Sequence, residues 1–204
     1  MFSGIVEAKC KVLAASRVGG VIRVEVERPT DFDDLKPGDS VAFNGVCLTV
    51  ELADARKIEF ALGAETLSVT GWNEGGLPGV EVNLERSLRA GDRVHGHFVT
   101  GHVDGMGEVV EAMDAGGSML VSIKGPAGLR EFVWRKGSWA LNGVSLTIND
   151  VIDREDGSVI IKHCLIPETL RHTNLLALKA GDRVSVEVDA SARAFSRARE
   201  LQAR

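Results

Sequence analysis

Two side chains that can act as nucleophiles, Cys47 and Ser145, occupy the same position of a repeated motif. Residues 44–50 (Asn-Gly-Val-Cys-Leu-Thr-Val) return as residues 142–148 (Asn-Gly-Val-Ser-Leu-Thr-Ile), with five of seven residues identical. Thr49 and Thr147 come two residues later, so each should face the same side of its strand as the thiol or hydroxyl. Such an inward-facing polar pair is costly in a dry core but normal in a polar pocket. The repeat therefore predicts two polar pockets of matched design.

A plainer interpretation of Cys47 and Ser145 is a small buried side chain in a tightly packed strand, and for either residue alone it would be favoured. Neither residue has a base close to it in sequence, so a hydrolase triad is not indicated. The glycine-rich stretches also lack the spacing of phosphate-binding and dinucleotide-binding loops.

Histidine supplies a second mismatch between the repeats. Residues 99–104 (Val-Thr-Gly-His-Val-Asp) echo residues 2–7 (Phe-Ser-Gly-Ile-Val-Glu), and His102 stands where the first copy has Ile5. Because imidazole titrates near neutral pH, we predict that His102 transfers a proton in one of the two pockets. His95 and His97 with His102 suggest a metal site, but no Cys or carboxylate at ligand spacing completes it. We expect no metal and interpret His95 and His97 as structural, with a metal-dependent barrel protein as an alternative.

A third repeated segment shows that a whole domain is duplicated. Residues 65–70 (Glu-Thr-Leu-Ser-Val-Thr) return as residues 168–173 (Glu-Thr-Leu-Arg-His-Thr), in the same order along the chain and at a similar offset. A period near 100 residues is a domain and not a solenoid unit, which repeats every 20 to 50 residues or so. We predict an N-terminal domain at residues 1–97, a C-terminal domain at residues 98–188 and a terminal helix at residues 189–204.

The periodicity is mainly that of β-strands. Ile22, Val24 and Val26 alternate with charged residues, and short apolar runs are bounded by glycine or aspartate turns. This pattern predicts a mainly β fold: two similar antiparallel Greek-key β-barrels in tandem plus a C-terminal helix. Short helical segments are predicted around residues 31–35, 65–69, 128–134 and 168–172.

Asp189 is positioned to cap the terminal helix, whose small and apolar residues form one stripe. The members of that stripe are Ala190, Ala194, Ala198 and Leu201, with Phe195 beside it. A helix of this length is marginal alone in water, so it should dock on another surface. Its own barrel and a neighbouring subunit are equally good candidates for that surface.

The composition excludes several classes of protein. The net charge of −5 does not indicate the basic surface that binding to nucleic acid or to an anionic membrane requires. No apolar run approaches the roughly 18 residues that span a bilayer, and no secretion signal is indicated. Cys10, Cys47 and Cys164 are an odd, widely spaced set, which is typical of reduced thiols and predicts a cytoplasmic protein.

With these motifs in hand, the chain resembles the riboflavin synthase family, whose members contain two lumazine-binding domains. The resemblance covers essentially the whole chain. It is carried by MFSGIVE at residues 1–7, SVAFNGVCLTV at 40–50, GHFVTGHVDG at 96–105, LNGVSLT at 141–147 and LIPETL at 165–170. Small departures from the family pattern occur at Ser3, Phe43 and Asn142.

The resemblance implies a reaction between two identical molecules. Two copies of 6,7-dimethyl-8-ribityllumazine dismutate, one donating a four-carbon unit to the other, without an organic or metal cofactor. The resemblance also implies a homotrimer in which the N-terminal barrel of one subunit faces the C-terminal barrel of the next. Lumazine synthase is a further partner to expect, and a non-catalytic lumazine- or flavin-binding protein of the same fold is the alternative.

The resemblance further implies which residues contact each substrate. Those of the N-terminal barrel site are Cys47, Leu48, Thr49, Ala61, Leu62, Gly63, Ala64, Glu65, Thr66, Gly101, His102 and Val103. Those of the C-terminal barrel site are Gly4, Ile5, Val6, Lys136, Ser145, Leu146, Thr147, Cys164, Leu165, Ile166, Pro167, Glu168 and Thr169. The implied catalytic groups are His102 for proton transfer, Ser145, Thr147 and Cys47 as polar or nucleophilic groups, and Asp189 as a partner of Ser145.

Overall fold

A computed structural model describes residues 1–203 and confirms a mainly β protein. The first six strands are β1 (Ala8–Val18), β2 (Val21–Glu27), β3 (Ser40–Phe43), β4 (Val46–Ala53), β5 (Lys57–Leu62) and β6 (Glu81–Arg86), with helix α1 (Ala64–Thr70) between β5 and β6. They form a closed antiparallel barrel in the order β1-β2-β5-β4-β3-β6. This order is the Greek-key topology that the repeat pattern predicts.

The second barrel repeats this order with one interruption. Its strands are β7 (Gly105–Asp114), β8 (Met119–Gly125), β9 (Ser138–Leu141), β10 (Val144–Thr147), β11 (Asp150–Asp153), β12 (Val159–Leu165) and β13 (Arg183–Val188), with helix α2 (Pro167–His172) after β12. The sheet runs β10-β9-β13-β7-β8-β12-β11. Strands β10 and β11 together correspond to β4, and the break between them leaves this sheet curled instead of closed.

Each barrel encloses its own core, built from the inward-facing residues of alternating strands. In β2, Ile22, Val24 and Val26 are fully buried, as their alternation with charged residues predicts. The corresponding core of the second half contains Trp139 and Ile123, both fully buried. The two cores are separate apolar clusters, which is the expected result of duplicating a whole domain.

The ends of the two halves cross over. Val103, which precedes the second barrel, packs against the core of the first, and Val6, near the start of the chain, packs against the core of the second. Phe2 and Val99 pair by their backbones in the middle, with Phe2 N–H donating to the Val99 carbonyl at 2.8 Å. Each barrel is therefore completed by a segment that belongs in sequence to the other half.

A buried polar network joins the two barrels. Gly45 and Gly143 approach so closely that a Cβ on Gly45 would lie 2.7 Å from the Gly143 nitrogen. The Asn83 side chain donates to the Asn142 carbonyl at 2.9 Å, and at the matching position the Ser185 hydroxyl donates to the carbonyl of Asn44. These contacts relate the halves by an approximate two-fold symmetry.

One of the helix predictions needs correction, and the terminal helix is found at its predicted position. Residues 31–35 form successive turns instead of a helix, since Phe32 N–H bonds to the Pro29 carbonyl and Leu35 N–H to that of Phe32. The terminal helix α3 (Ala190–Gln202) begins at the predicted cap, where the Asp189 carboxylate accepts from Ser191 N–H at 2.8 Å. It docks through buried Ala192, while the side chain of Phe195 is 73% exposed. The predicted stripe is therefore not the face that contacts its own barrel.

Candidate functional site

A cavity of about 420 Å³ lies on the outer face of the first barrel. Along β4, Leu48 and Val50 point into the core whereas Cys47 and Thr49 point away from it. The predicted Cys–Thr pair thus faces outward and not inward, so the cavity is built against the barrel wall. We call it the N-terminal seat. It is lined by Val46, Cys47, Glu65, Thr66, Val69, Thr70, Gly101, His102 and Val103.

The crossing segment closes the N-terminal seat through Gly101. The Cys47 N–H donates to the Gly101 carbonyl at 2.9 Å, and a Cβ on Gly101 would lie 2.5 Å from the Cβ of Cys47. Gly101 also has φ of +82°, a conformation that residues with a Cβ adopt only at a cost. Glycine at this position is therefore required both by the backbone conformation and by the close approach, and it brings His102 beside Cys47.

The same closure exists in the second half, around Gly4 and Ser145. Ser145 N–H donates to the Gly4 carbonyl at 2.7 Å, Gly4 has φ of +75°, and its Cβ would lie 2.6 Å from that of Ser145. We call the region around this contact the C-terminal seat. Its residues, by correspondence with the N-terminal seat, are Gly4, Ile5, Val6, Val144, Ser145, Glu168, Thr169, His172 and Thr173.

Two buried carboxylates hold the crossing segments in place. Glu187 accepts hydrogen bonds from Thr100 N–H at 2.7 Å and from Gly101 N–H at 2.9 Å. Glu85 accepts in the same way from Ser3 N–H at 2.6 Å and Gly4 N–H at 3.0 Å. Burial raises the pKa of Glu85 to about 7, although its hydrogen bonds with Ser3 act in the opposite direction. Sequence reasoning missed both glutamates, because nothing local to either one indicates a distant backbone partner.

The two seats differ in the hydrogen bonding of Cys47 and Ser145. The Ser145 hydroxyl is 2.7 Å from Nδ1 of His97, while among residues 1–203 no hydrogen bond joins the Cys47 thiol to another group. His97 was interpreted as structural, and the structure places its imidazole against the Ser145 hydroxyl. The signal in the sequence was the HxH pattern, which suggested a metal and not a hydroxyl partner.

Asp189, the predicted partner of Ser145, makes no hydrogen bond to it among the described residues. Its carboxylate accepts from the N–H and the hydroxyl of Ser191 at the start of α3, at 2.8 and 2.5 Å. It is close enough to His97 to raise the pKa of that imidazole, against a larger effect of burial that lowers it. The net pKa of His97 lies below its ordinary value, so the imidazole is neutral at pH 7.

The two helices place matching glutamates at the seats in different electrostatic surroundings. In the C-terminal seat, Glu168 forms an ion pair with Arg171, and its carboxylate lies 3.1 Å from Nε2 of His172. The hydrogen bond and charge of Arg171 hold the pKa of Glu168 below its usual range. Glu65 of the N-terminal seat has no ion pair among the described residues, and the position corresponding to His172 is Val69.

Other residues implied by the resemblance lie at varied depths. The side chains of four leucines belong to the barrel cores, so they can meet a ligand only through their backbones: Leu48, Leu62, Leu146 and Leu165. Others are partly or largely exposed: Thr49, Ala61, Gly63, Ala64, Lys136, Thr147, Cys164, Ile166 and Pro167. Lys136 has φ of +70° where the first half has Gly38, so the second half keeps a side chain in a strained turn.

A larger cavity of about 760 Å³ lies beside the N-terminal segment. Ile5 lines it, but most of its wall is polar, including Arg86, which forms ion pairs with Glu7 and Asp34. Because those charges satisfy one another, the smaller N-terminal seat is the better candidate for binding a heteroaromatic ring. Within residues 1–203, no group of three or more His, Cys, Asp or Glu side chains is arranged to hold a metal ion.

Comparisons with known proteins match both halves of the chain. The sequence profile of the lumazine binding domain family fits residues 3–87 and again residues 100–189. Riboflavin synthase of Photobacterium phosphoreum is 38% identical over 97% of this chain and 88% of its own length. The enzyme of Brucella abortus is 36% identical over 99% of this chain and 100% of its own length, and that of Mycobacterium bovis is 37% identical over 97% of each.

Solved structures share the fold. The crystal structure of LumP complexed with 6,7-dimethyl-8-(1'-D-ribityl) lumazine superposes with a TM-score of 0.80 at 25% identity, covering 92% of this chain and 99% of that one. LumP complexed with riboflavin gives a TM-score of 0.78 at 26% identity, with the same coverage. No helix among the described residues has the length and apolar character needed to cross a membrane.

Proposed function

This chain belongs to the riboflavin synthase family, and from that premise we propose that it converts two molecules of 6,7-dimethyl-8-ribityllumazine into riboflavin and 5-amino-6-ribitylaminopyrimidinedione. One molecule gives a four-carbon unit to the other, so the atoms of the two substrates are all found in the two products. The observation that carries the proposal is the pair of seats closed by the same glycine contact, at Gly101 with Cys47 and at Gly4 with Ser145.

The reaction needs a proton to leave a methyl group of one lumazine and a nucleophile to add to the ring of the other. His102 is the proposed group for proton transfer, and its place beside Cys47 in one cavity supports this role. Cys47, Ser145 and Thr147 are proposed as polar or nucleophilic groups next to the rings. Holding two rings together replaces a bimolecular encounter, which is a large part of the rate enhancement.

We further propose that the reacting pair forms between subunits of a homotrimer. Within one chain, a buried apolar layer lies between the two seats, formed by Phe2, Ala42, Val99 and Ala140. Ala42 pairs with Cys47 and Ala140 pairs with Ser145 across their hairpins, so the layer backs directly onto both seats. Two rings cannot stack through packed protein, which supports a reacting pair formed by the N-terminal seat of one subunit and the C-terminal seat of another.

The exposed stripe of α3, with Phe195 beside it, is the proposed trimerisation element. We also propose domain limits at residues 97 and 188, a cytoplasmic location consistent with the free thiols of Cys10, Cys47 and Cys164, and an association with lumazine synthase. The last of these rests on the family resemblance alone. Light scattering of the purified protein, alone and mixed with lumazine synthase, measures both assemblies.

A non-catalytic lumazine-binding protein is the second candidate function, because LumP shares the fold. The direct test is incubation of the purified protein with 6,7-dimethyl-8-ribityllumazine and no other addition. We expect riboflavin absorbance to appear, with one riboflavin formed for every two lumazines consumed. Tight binding of the lumazine without riboflavin formation would refute the enzyme and support the binding protein.

A further inference from the structure

The connector between the two barrels reaches the C-terminal seat. His97 N–H donates to the Ser3 carbonyl at 3.1 Å, which fixes the backbone of the connector against the N-terminal segment. A Cβ on Gly96 would lie 2.7 Å from the Cβ of Ser145, so the connector passes directly over the serine. Since Gly4 contacts Ser145 as well, the serine is enclosed by two chain segments that are distant in sequence.

The His97 side chain contacts the hydroxyl of Ser145 in the C-terminal seat. Its Nδ1 is 2.7 Å from the Ser145 hydroxyl, and its Nε2 is buried without a hydrogen-bond partner among the described residues. A buried imidazole nitrogen without a partner is costly, so a residue with only a packing role would be better served by an apolar side chain. The retained hydrogen bond to Ser145 is therefore the feature that distinguishes His97 from a packing residue.

We propose that His97 is a positioning residue that orients the Ser145 hydroxyl toward the substrate in the C-terminal seat. This inference rests on the proposed function. A serine hydroxyl has one donor and two acceptor positions, and His97 occupies one of them in either tautomer of the neutral ring. This hydrogen bond restricts the rotation of the hydroxyl, and a group that is already oriented loses less entropy when the substrate reacts.

The N-terminal seat has no counterpart of this arrangement. Cys47 occupies the position of Ser145, but the described residues provide no hydrogen-bond partner for its thiol, and its seat carries His102 on the crossing segment instead. The two halves therefore each have one histidine beside the nucleophile position, delivered by different segments: residue 102 next to Cys47 and residue 97 next to Ser145. The two seats share the same backbone contact between a glycine and the Cys47 or Ser145 position. They differ in which chain segment carries the neighbouring histidine.

The test uses two substitutions of His97 and one control histidine. In His97→Asn the side-chain amide replaces Nδ1 and keeps a hydrogen bond to Ser145, whereas His97→Leu keeps the bulk and loses the bond. We expect His97→Leu to lower kcat about tenfold, the effect of losing one oriented hydrogen bond, with little change in KM. His97→Asn should retain kcat within about threefold of the wild type. His95→Asn, in the exposed part of the connector, should leave both constants unchanged.

A double-mutant cycle with Ser145→Ala separates positioning from a general packing role. If His97 acts through Ser145, then His97→Leu should have little further effect on kcat once the hydroxyl is gone. Equal and additive losses in both backgrounds, or an unchanged kcat in His97→Leu alone, would overturn the proposal. Urea unfolding checks that the variants fold, and lumazine binding is titrated in parallel. A wild-type protein that binds lumazine but forms no riboflavin would refute the proposed function instead; lumazine affinity would then report on the His97–Ser145 bond.

Discussion

Replacing Gly101 by alanine should disable the N-terminal seat and leave the C-terminal seat intact. At φ of +82° a residue with a Cβ is strained by about 1–2 kcal/mol. The added methyl group would also lie 2.5 Å from the Cβ of Cys47, which belongs to β4, a strand paired with β3 on one side and with β5 on the other. The segment has to move away, so the hydrogen bonds of Gly101 with Cys47 and Glu187 are weakened at about 1 kcal/mol each.

Together these effects amount to about 3 kcal/mol, or about a hundredfold loss of lumazine affinity at that seat. Titration calorimetry of the wild type should show two lumazines bound per chain, and Gly101→Ala should show one over the same concentration range. Gly4→Ala is the matched variant, which should lose the other site. Gly116→Ala is the control, because Gly116 also has a positive φ, of +70°, but nothing lies within 4 Å of its Cβ position. Two sites of normal affinity in Gly101→Ala would refute the reasoning.

The same two variants test where the reacting pair forms. Each alone should make little riboflavin, because every encounter lacks one competent seat. When the two are refolded together, a subunit carrying Gly4→Ala offers an intact N-terminal seat to the intact C-terminal seat of a Gly101→Ala neighbour. We expect activity to return to a substantial fraction of the wild-type value. Persistent inactivity of a mixture that forms trimers would contradict the inter-subunit site.

Three further perturbations follow from other parts of the structure. Glu187→Gln places an amide against the N–H groups of residues 100 and 101, so we expect about a tenfold or larger loss of affinity at the N-terminal seat alone, measured by the same titration. Asn174→Ala removes a side chain that donates to Asn44 at 3.0 Å and accepts from Asn83 at 2.9 Å, and should lower the free energy of unfolding in urea by about 2 kcal/mol. Burial lowers the pKa of His163 to about 4, so its contribution to stability is complete above about pH 6.5 and is lost toward pH 4, by about 3 kcal/mol. The free energy of unfolding in urea should be measured for the wild type and for His163→Phe at pH 7 and pH 4.5. The stability of the wild type relative to His163→Phe should be lower at pH 4.5, and a difference that does not change with pH would contradict this.

Much of the fold could be predicted from the sequence because its signals are local or repeated. Alternation of apolar and charged residues in β2 identifies a barrel strand, and the side chain of Asp189 identifies the start of α3. The repeat at Cys47 and Ser145 identifies a duplicated domain and matched sites. Residues 31–35 were wrongly predicted as helix, because their composition suits both a helical turn and the successive β-turns that the barrel requires.

The geometry of the candidate site could not be predicted from local patterns, because it depends on contacts between residues that are distant in sequence. The sequence alone determined which residues correspond between the two halves and where they differ in type, because this requires only an alignment of the two repeats. Only the folded chain decided that Cys47 points away from the core, that Glu187 and Glu85 hold the crossing segments, and that Ser145 meets His97 instead of Asp189. These contacts join residues tens of positions apart, and their geometry follows from how two barrels exchange their ends, which no local pattern encodes.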